Sequence, residues 1–226
     1  MIAIVTVRGD IHAHAIKHEI EVRHGVKCHL IEVDRLSSEH HVEWQLSQSK
    51  CPDYRIRCDN SWVAIGELDV VWWRRFKSAQ KFDTVFYPSA QESIINNDCR
   101  SSFFGGLVTS FSGYWVSHPY ATEHAGNKLY QLSLARQSGF RVPQTLISQN
   151  PESVRQFVSK LPLGHTIVKS VTGGNKEVFL FTQFVTGADL ESDASIKVCP
   201  AIYQEYIPGE AHIRLNCFGD ASVTLP

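Results

Sequence analysis

The amino terminus constrains the fold most, because a short apolar run is followed by a helical pattern and then by a second apolar run. Ile2–Val7 is apolar or β-branched throughout, which is typical of a buried parallel strand. Asp10–Gly25 carries apolar residues at helical spacing, with Asp10 as a capping residue and Gly25 as a terminator. Cys28–Asp34 predicts another strand. The segment therefore predicts a β-α-β unit and an α/β fold.

The same domain is predicted to continue to about Pro119. Two β-rich segments flank Asp59-Asn60, and this pattern predicts a hairpin. Further predicted elements, in chain order, are a strand at Leu68–Phe76, a helix at Ser89–Phe111 that Gly105-Gly106 weakens near its end, and a strand at Gly113–Pro119. We therefore expect residues 1–119 to form a small α/β domain.

Residues 120–226 have a different pattern and predict a second domain. A helix is expected at about 126–138, followed by a strand, "QTLIS", and a helix that begins near Pro151. Two strands, "HTIVKSV" and "KEVFLFTQFV", are expected on either side of "TGGN", and the remainder, from "AIYQEYIPG" onward, is expected to be rich in β-structure. This order of elements predicts an α+β domain.

The composition is that of an ordinary soluble protein and excludes several classes of function. The chain has 226 residues, 20% of them charged, and a net charge of -1, so we expect no bulk attraction to nucleic acid or to an anionic membrane. The six cysteines are dispersed without a CxxC pair, which predicts neither a disulfide framework nor a zinc site. No signal peptide and no apolar run of about 18 residues is evident. We expect a cytoplasmic protein.

Four features in the second domain together suit a nucleotide. Lys128 begins a helix, and Lys169 lies on an apolar strand that leads into Gly173 and Gly174. The segment "YQEYIPG" follows, and then Arg214 on a strand. Ammonium groups can neutralise phosphate oxygens, glycines let backbone N–H groups approach a phosphate, and a strand end can bind the edge of an adenine. Each feature alone is typical of an ordinary surface or turn, so their order carries the argument.

In this order the segments resemble the ATP-grasp superfamily. "GFRVPQTLISQNP" is close to the branch that includes the microviridin-type (graspetide) ribosomal peptide maturases and the RimK-like ligases, and "VVWWRR" is similar to the pre-ATP-grasp domain of that branch. The resemblance implies a pre-ATP-grasp parallel-sheet domain at 1–119 and the first α+β lobe of an ATP-grasp module at 120–226.

The resemblance also implies roles for individual residues. Lys128 and Lys169 match two lysines that contact phosphate. Gln204, Glu205, Tyr206 and Ile207 match the hinge segment, where Glu205 and the backbone around Tyr206 and Ile207 would hold the adenine. Arg214 matches a basic position near the phosphates or an acyl phosphate, and we regard it as the candidate catalytic residue.

The activity implied is ATP-dependent ligation. In such enzymes ATP phosphorylates a carboxylate, and a nucleophile then displaces the phosphate; in the peptide maturases both groups belong to a precursor peptide, and the product is an ester or amide. Magnesium is expected for the family, but its carboxylate and asparagine ligands are expected beyond Asp220, and no metal ligand is assigned in this chain. We therefore expect the chain as given to be incomplete or inactive, and expect self-association, a homodimer included, or poor solubility.

Other features support weaker hypotheses. Asp189, Glu191 and Asp193 are expected in an unpatterned, solvated acidic loop rather than around a metal ion, and the His14 and His18 pair lacks a third ligand. Trp72 and Trp73 are expected to pack in the core. Arg74 and Arg75 leave two alternatives open, contact with a substrate or with the second domain.

Two alternative functions remain. One is a non-catalytic adaptor that binds a peptide or another partner and derives from an ATP-grasp enzyme. The other is a ligase for a small molecule, which the sequence does not distinguish from a peptide ligase.

Overall fold

A computed structural model describes residues 1–48, 50–58, 61–76, 89–172, 181–211 and 213–225. The chain divides into two units, residues 1–123 and 124–226, each with its own packing. The first unit contains, in order, β1 (Ile2–Thr6), α1 (Ile11–His24), β2 (Cys28–Glu32), β3 (His41–Ser47), β4 (Lys50–Cys58), β5 (Ser61–Ala64), β6 (Val70–Trp73), α2 (Ser89–Ser110) and β7 (Tyr114–Val116). The boundary between the units lies within α3 (Pro119–Ala125).

The first unit is built on a parallel sheet, as predicted. The strand order is β2-β1-β6-β7, and all three neighbouring pairs are parallel. Ala3, Ile4 and Val5 are fully buried in the central strand β1. Asp10 caps α1 by accepting hydrogen bonds from two backbone N–H groups, and Gly25 ends the helix with a φ of 64°. The predicted β-α-β unit and the α/β class are therefore confirmed.

A three-stranded antiparallel sheet, β3-β4-β5, is inserted between β2 and β6. The helix α2 packs on it, and the buried hydroxyl of Tyr54 lies 3.3 Å from the carbonyl oxygen of Phe103, to which it donates a hydrogen bond. The helix continues through Gly105 and Gly106 to Ser110. A Cβ atom at Gly106 would lie 2.4 Å from the Tyr54 ring, so the close approach of helix and sheet requires a glycine there.

Asp10 also joins three segments of the first unit through its carboxylate. Arg74, just after β6, donates to both carboxylate oxygens at 2.7 and 3.1 Å, and the Thr6 hydroxyl donates at 2.8 Å. Burial alone would raise the pKa of Asp10, but the hydrogen bonds from Arg74 and Thr6 hold that pKa well below its usual range. Arg75 lies 3.5 Å from the same carboxylate. The Arg74 guanidinium is therefore held by an ion pair within its own unit, and the two alternatives for Arg74 and Arg75 stay predictions.

The two tryptophans before these arginines pack in the core, as predicted. Trp73 is buried beside Phe103, with ring centroids 6.5 Å apart. Trp72 is half-buried against the apolar cluster around Ile4 on the other face of the sheet.

The second unit contains α4 (Lys128–Gln137), β8 (Thr145–Ser148), α5 (Pro151–Ser159), β9 (Thr166–Ser170), β10 (Gln183–Phe184), α6 (Gly187–Glu191), α7 (Asp193–Lys197), β11 (Ala201–Glu205), β12 (Arg214–Phe218) and β13 (Ala221–Leu225). Its main sheet is antiparallel with the order β10-β9-β11-β8. Val154 of α5, Ile196 of α7 and Tyr203 of β11 form the buried centre of one face, which we call the helix-packed face. The strands β12 and β13 form a separate, mostly exposed hairpin.

The acidic segment before β11 was predicted as an unpatterned loop, and this prediction was wrong. It forms the short helices α6 and α7, and Glu191 is the last residue of α6. Asp189 accepts hydrogen bonds from the backbone N–H and the hydroxyl of Thr186 in a capping box. Asp193 is paired with Arg155. The carboxylates of Asp189 and Asp193 are therefore used in a helix cap and in an ion pair, respectively.

Candidate functional site

The face of the main sheet in the second unit that lies opposite the helix-packed face carries a row of polar side chains. Thr145 of β8 lies directly opposite Gln204 of β11, and Lys169 of β9 lies opposite Ile202, two residues before Gln204. Because strand side chains alternate between faces, Gln204, Ile202 and Lys169 share one face while Tyr203 points to the helices. The antiparallel register thus brings three polar residues from distant parts of the chain together.

These three side chains form a chain of hydrogen bonds, which we call the Lys169 relay. The Lys169 ammonium donates to Gln204 Oε1 at 2.7 Å, and Gln204 Nε2 donates to Thr145 Oγ1 at 2.8 Å. The Thr145 hydroxyl donates in turn to the carbonyl oxygen of Pro143 at 2.9 Å. Gln204 is only 6% exposed, so its amide is held in one orientation by a donor on one side and an acceptor on the other.

Lys128 approaches the same strand from α4. Asn127 caps this helix by accepting hydrogen bonds from the backbone N–H groups of Leu129 and Tyr130. The Lys128 ammonium donates to the carbonyl oxygen of Ser170 at 2.8 Å, which fixes it next to the residue that follows Lys169. The side chain is therefore anchored on β9, although the helix start itself disfavours a cation.

The two lysines influence each other electrostatically. Burial lowers the pKa of Lys169, and the nearby positive charge of Lys128 lowers it further. Two cations held close together without a carboxylate partner in the described contacts favour an anionic ligand. The arrangement can therefore neutralise a group that carries several negative charges, such as a chain of phosphates.

A cleft of about 370 Å³ opens beside the relay. Mostly apolar and aromatic side chains surround it, and its lining residues are Pro143, Ile167, Thr182, Gln183, Phe184, Gln204, Glu205, Tyr206 and Ile207. The rings of Phe184 and Tyr206 meet edge to face, with centroids 4.9 Å apart. A flat aromatic ligand suits such a cleft, which places apolar groups near the polar strand end.

The backbone of the hinge segment is partly committed to internal hydrogen bonds. Glu205 N–H donates to the carbonyl oxygen of Gln144 at 2.9 Å, and Tyr206 N–H donates to that of His165 at 2.8 Å. The Glu205 carboxylate accepts from Gln144 N–H at 3.1 Å. Within the described part of the chain, the Ile207 N–H has no backbone partner. Of these three N–H groups, that of Ile207 is the one left to donate to a ligand.

The structure brings most, but not all, of the predicted site residues together. Lys169 donates a hydrogen bond to Gln204 and is close enough to Lys128 to be affected by its charge. Gln204 also lines the cleft together with the other residues of the hinge segment, Glu205, Tyr206 and Ile207. Gly173 and Gly174 lie outside the described residues. Arg214 is the exposed first residue of β12, and no hydrogen bond or ion pair links it to the lysines within the described ranges.

Sequence reasoning missed Thr145 because a threonine at the start of a strand is common. The importance of Thr145 follows from its position directly opposite Gln204, and this position is known only from the register between β8 and β11. The side chain completes the relay, so its contribution to the site depends on strand pairing rather than on a local motif.

No metal centre is evident in the described ranges, where no group of three or more histidine, cysteine, aspartate or glutamate side chains is arranged to hold an ion. Among the same residues, no helix has the length and apolar character needed to cross a lipid bilayer.

Comparisons with known proteins found no match by sequence but several matches among solved structures. No protein-family model and no curated protein matches the chain by sequence. Among solved structures, macrocyclase MdnC from Microcystis aeruginosa MRC, bound with precursor peptide MdnA, superposes with a TM-score of 0.89 and is 28% identical, covering 99% of this chain and 70% of MdnC.

Two further structures give the same result. A RiPP-associated ATP-grasp ligase from Chryseobacterium gregarium, in complex with ADP and with a leader and core peptide, has a TM-score of 0.85 and 21% identity over 99% of this chain and 67% of the ligase. The ATP-grasp ligase PsnB, complexed with precursor peptide PsnA2 and AMPPNP, has a TM-score of 0.67 and 23% identity over 92% of this chain and 65% of PsnB.

These likenesses establish the fold, which is that of ATP-grasp ligases. The resemblance drawn from the sequence is confirmed, since two of these three structures are ATP-grasp ligases, the third is a macrocyclase, and all three were solved with a peptide. This chain spans about 70% of the length of MdnC.

Proposed function

We propose that this chain, which has the fold of the ATP-grasp ligases, is an ATP-dependent ligase that acts on a ribosomal peptide in the cytoplasm and binds the nucleotide through its second unit. The observation that carries the proposal is the pairing of two anchored lysines with an apolar cleft at a strand end. Two of the similar solved structures contain ADP or AMPPNP together with a peptide, and this supports both nucleotide binding and a peptide substrate.

In this proposal the cleft takes the adenine. Phe184 and Tyr206 supply apolar contacts, and the Ile207 N–H donates to a ring nitrogen while backbone carbonyl groups of the hinge accept from the amino group. This narrows the expectation from the sequence, because the Tyr206 N–H is already bonded to His165. Glu205 contributes by holding the hinge against Gln144 as well as by lining the cleft.

The phosphates then extend from the cleft toward Lys169 and Lys128. The relay holds the Lys169 ammonium at Gln204, and the Ser170 carbonyl holds Lys128, so both cations are placed before the ligand arrives. Pre-placed charges are worth more than mobile ones because little reorganisation is needed when negative charge develops. Gly173, Gly174 and Arg214 remain proposed contacts to the phosphates, and Arg214 is the proposed catalytic residue.

The proposed reaction transfers a phosphoryl group and then releases it. A peptide carboxylate oxygen attacks the γ-phosphorus of ATP, the bond to the β-phosphate oxygen breaks, and an acyl phosphate and ADP result. A hydroxyl or amine of the peptide then attacks the acyl carbon, loses a proton, and expels phosphate as the ester or amide forms. The lysines stabilise the phosphate charge during the first step. We assign no described residue as a ligand of magnesium, which the family is expected to use.

Calorimetric titration with AMPPNP tests nucleotide binding directly. We expect Lys169→Ala and Lys128→Ala each to weaken binding about tenfold, since a charge-assisted contact is worth about 1.5 kcal/mol. Lys160→Ala is the matched control, because Lys160 is an exposed lysine that follows α5 and should leave affinity unchanged. Equal affinity of all four proteins would contradict the proposed phosphate site.

The same samples distinguish the remaining alternatives. Peptide binding without any nucleotide binding would support the adaptor, and ATP-dependent modification of a small molecule in place of a peptide would support the small-molecule ligase. The expectation that residues 1–226 bind nucleotide without turnover remains a prediction, and ADP release by this chain in the presence of a precursor peptide would contradict it.

A further inference from the structure

The strand order of the parallel sheet in the first unit reverses between β1 and β6. The chain passes from β1 to its neighbour β2 on one side, and it later returns to the other side of β1 as β6, with β7 beyond it. The helix α1 packs on one face of this sheet and α2 packs on the other. In open α/β sheets, ligands bind outside the carboxyl ends of the strands at such a point. The carboxyl ends of β1 and β6 are therefore where we expect a ligand of the first unit.

Two consecutive arginines lie at this point, directly after the end of β6. The backbone N–H groups of Arg74 and Arg75 both donate to the carbonyl oxygen of Val5 in β1, at 3.1 and 3.0 Å. These two hydrogen bonds anchor both residues at the carboxyl end of β1. The side chains differ in exposure, because that of Arg74 is 20% exposed and that of Arg75 is 55% exposed.

The two arginines share one carboxylate, that of Asp10, which is already occupied by other donors. Arg74 donates to both of its oxygens, and the Thr6 hydroxyl and two backbone N–H groups at the start of α1 donate to it as well. The Nε atom of Arg75 lies 3.5 Å from the same carboxylate, which is too long for an ordinary hydrogen bond. Within the residues that the structure describes, the Arg75 guanidinium therefore keeps its N–H groups for another partner.

The other arginines at this edge of the sheet have carboxylate partners of their own. Arg8, which follows β1, is 3.4 Å from Glu39, and Arg35, which follows β2, is paired with Glu32. Arg75 is therefore the arginine here whose charge is balanced least. A planar guanidinium that is half exposed and has unused donors is suited to bind a carboxylate through two parallel hydrogen bonds.

We infer that Arg75 binds the carboxylate of an acidic side chain in the peptide substrate and makes the first unit selective for acidic peptides. The inference rests on the proposed function, in which the reaction consumes a peptide carboxylate, and it adds a peptide contact in the first unit to the nucleotide site of the second. A carboxylate suits the site better than a phosphate, because the neighbouring Asp10 carboxylate repels an anion of higher charge more strongly.

Fluorescence anisotropy with a fluorescein-labelled, glutamate-rich peptide tests the inference on the whole chain. We expect Arg75→Gln to weaken binding about tenfold, because a charge-assisted hydrogen bond to a carboxylate is lost. Arg23→Gln is the matched control, since Arg23 is an exposed arginine near the end of α1, about 20 Å from Asp10 at about 1.5 Å per helical residue. Equal affinity of the wild type and Arg75→Gln would overturn the inference.

A second peptide, with glutamine in place of every glutamate, gives a test that needs no variant. We expect the wild-type chain to bind it about tenfold more weakly than the glutamate-rich peptide. The difference should decrease as salt is added, because salt screens exposed charges. Equal binding of the two peptides by the wild type, or no binding of either, would also overturn the inference.

Titration of the same proteins with AMPPNP separates this inference from the proposed function. A wild-type chain that does not bind AMPPNP would contradict the proposed nucleotide site, whereas the peptide comparison tests Arg75 alone. A loss of AMPPNP affinity in Arg75→Gln without a loss of peptide affinity would assign the arginine to the nucleotide and overturn the inference. A lower melting temperature of Arg75→Gln with unchanged peptide affinity would assign it to a structural contact and would overturn the inference as well.

Discussion

The Lys169 relay predicts that Thr145→Val impairs both stability and nucleotide binding. Valine keeps the shape and strand preference of threonine but removes the hydroxyl that accepts from Gln204 at 2.8 Å and donates to Pro143 at 2.9 Å. The amide nitrogen of Gln204 would then lose its acceptor in a residue that is 6% exposed. An unsatisfied buried donor costs about 2 kcal/mol.

That free energy gives two measurable effects. We expect the melting temperature to fall by about 4–8 °C, from the general relation between free energy and melting for a chain of this size. The Gln204 amide, without its acceptor, would also hold the Lys169 ammonium less firmly. If about 1 kcal/mol of the lost free energy comes from the contact between Lys169 and the phosphates, the affinity for AMPPNP falls about fivefold. Scanning calorimetry and titration calorimetry measure the two effects on the same sample.

Thr145→Ser is the matched control because serine keeps the hydroxyl and loses only a methyl group. We expect it to restore most of the affinity. The argument is refuted if Thr145→Val lowers the melting temperature while its affinity equals that of the wild type, since the threonine would then support the sheet without positioning Lys169. Equal losses in the serine and valine variants would also refute it.

Three further predictions concern charge and packing. A bound phosphate should raise the lowered pKa of Lys169, so nucleotide binding at alkaline pH should take up protons and weaken as the pH rises. Calorimetry in two buffers measures the proton uptake, and Lys169→Ala should abolish that uptake. Asp10→Asn should cost about 2 kcal/mol near neutral pH by removing the partner of Arg74. Because the pKa of Asp10 in the folded protein lies below its ordinary value of 3.8, this stabilisation is complete above that value and is lost as the pH falls further, so the stabilities of the two proteins should converge in acid. Gly106→Ala should destabilise the first unit because its Cβ would meet the Tyr54 ring, whereas Gly105→Ala, with open space around it, should be neutral or stabilising by about 0.5–1 kcal/mol; thermal melts that rank them in the opposite order contradict this.

Periodic patterns and caps predicted the local elements well. The strand β1, the capped helix α1 and the parallel sheet follow from an apolar run, one aspartate and one glycine, whose effects are local. The acidic segment at Asp189–Asp193 was mistaken for a loop because its two helices are only five residues each, too short to show periodicity.

In the candidate site, the sequence likewise predicts residues that follow from local order and misses those that depend on distant partners. Lys128 and Lys169 could be named from order and resemblance, and the structure anchors both near each other. The role of Thr145 depends on its partner Gln204, 59 residues away, so no local pattern indicates it. The ion pair of Arg74 likewise depends on Asp10, which lies 64 residues earlier in the chain.

The alternation along β11 makes this strand a common component of binding and folding. Gln204 contacts the lysine on one side of the sheet, and its neighbour Tyr203 belongs to the apolar centre on the other. Deleting a single residue within the strand would exchange the two environments, pushing an amide into the apolar interior and a ring toward the lysine. Substitutions can therefore be tolerated here one position at a time, whereas changes in length cannot, so homologues that keep the relay are expected to vary in composition along β11 but not in its spacing.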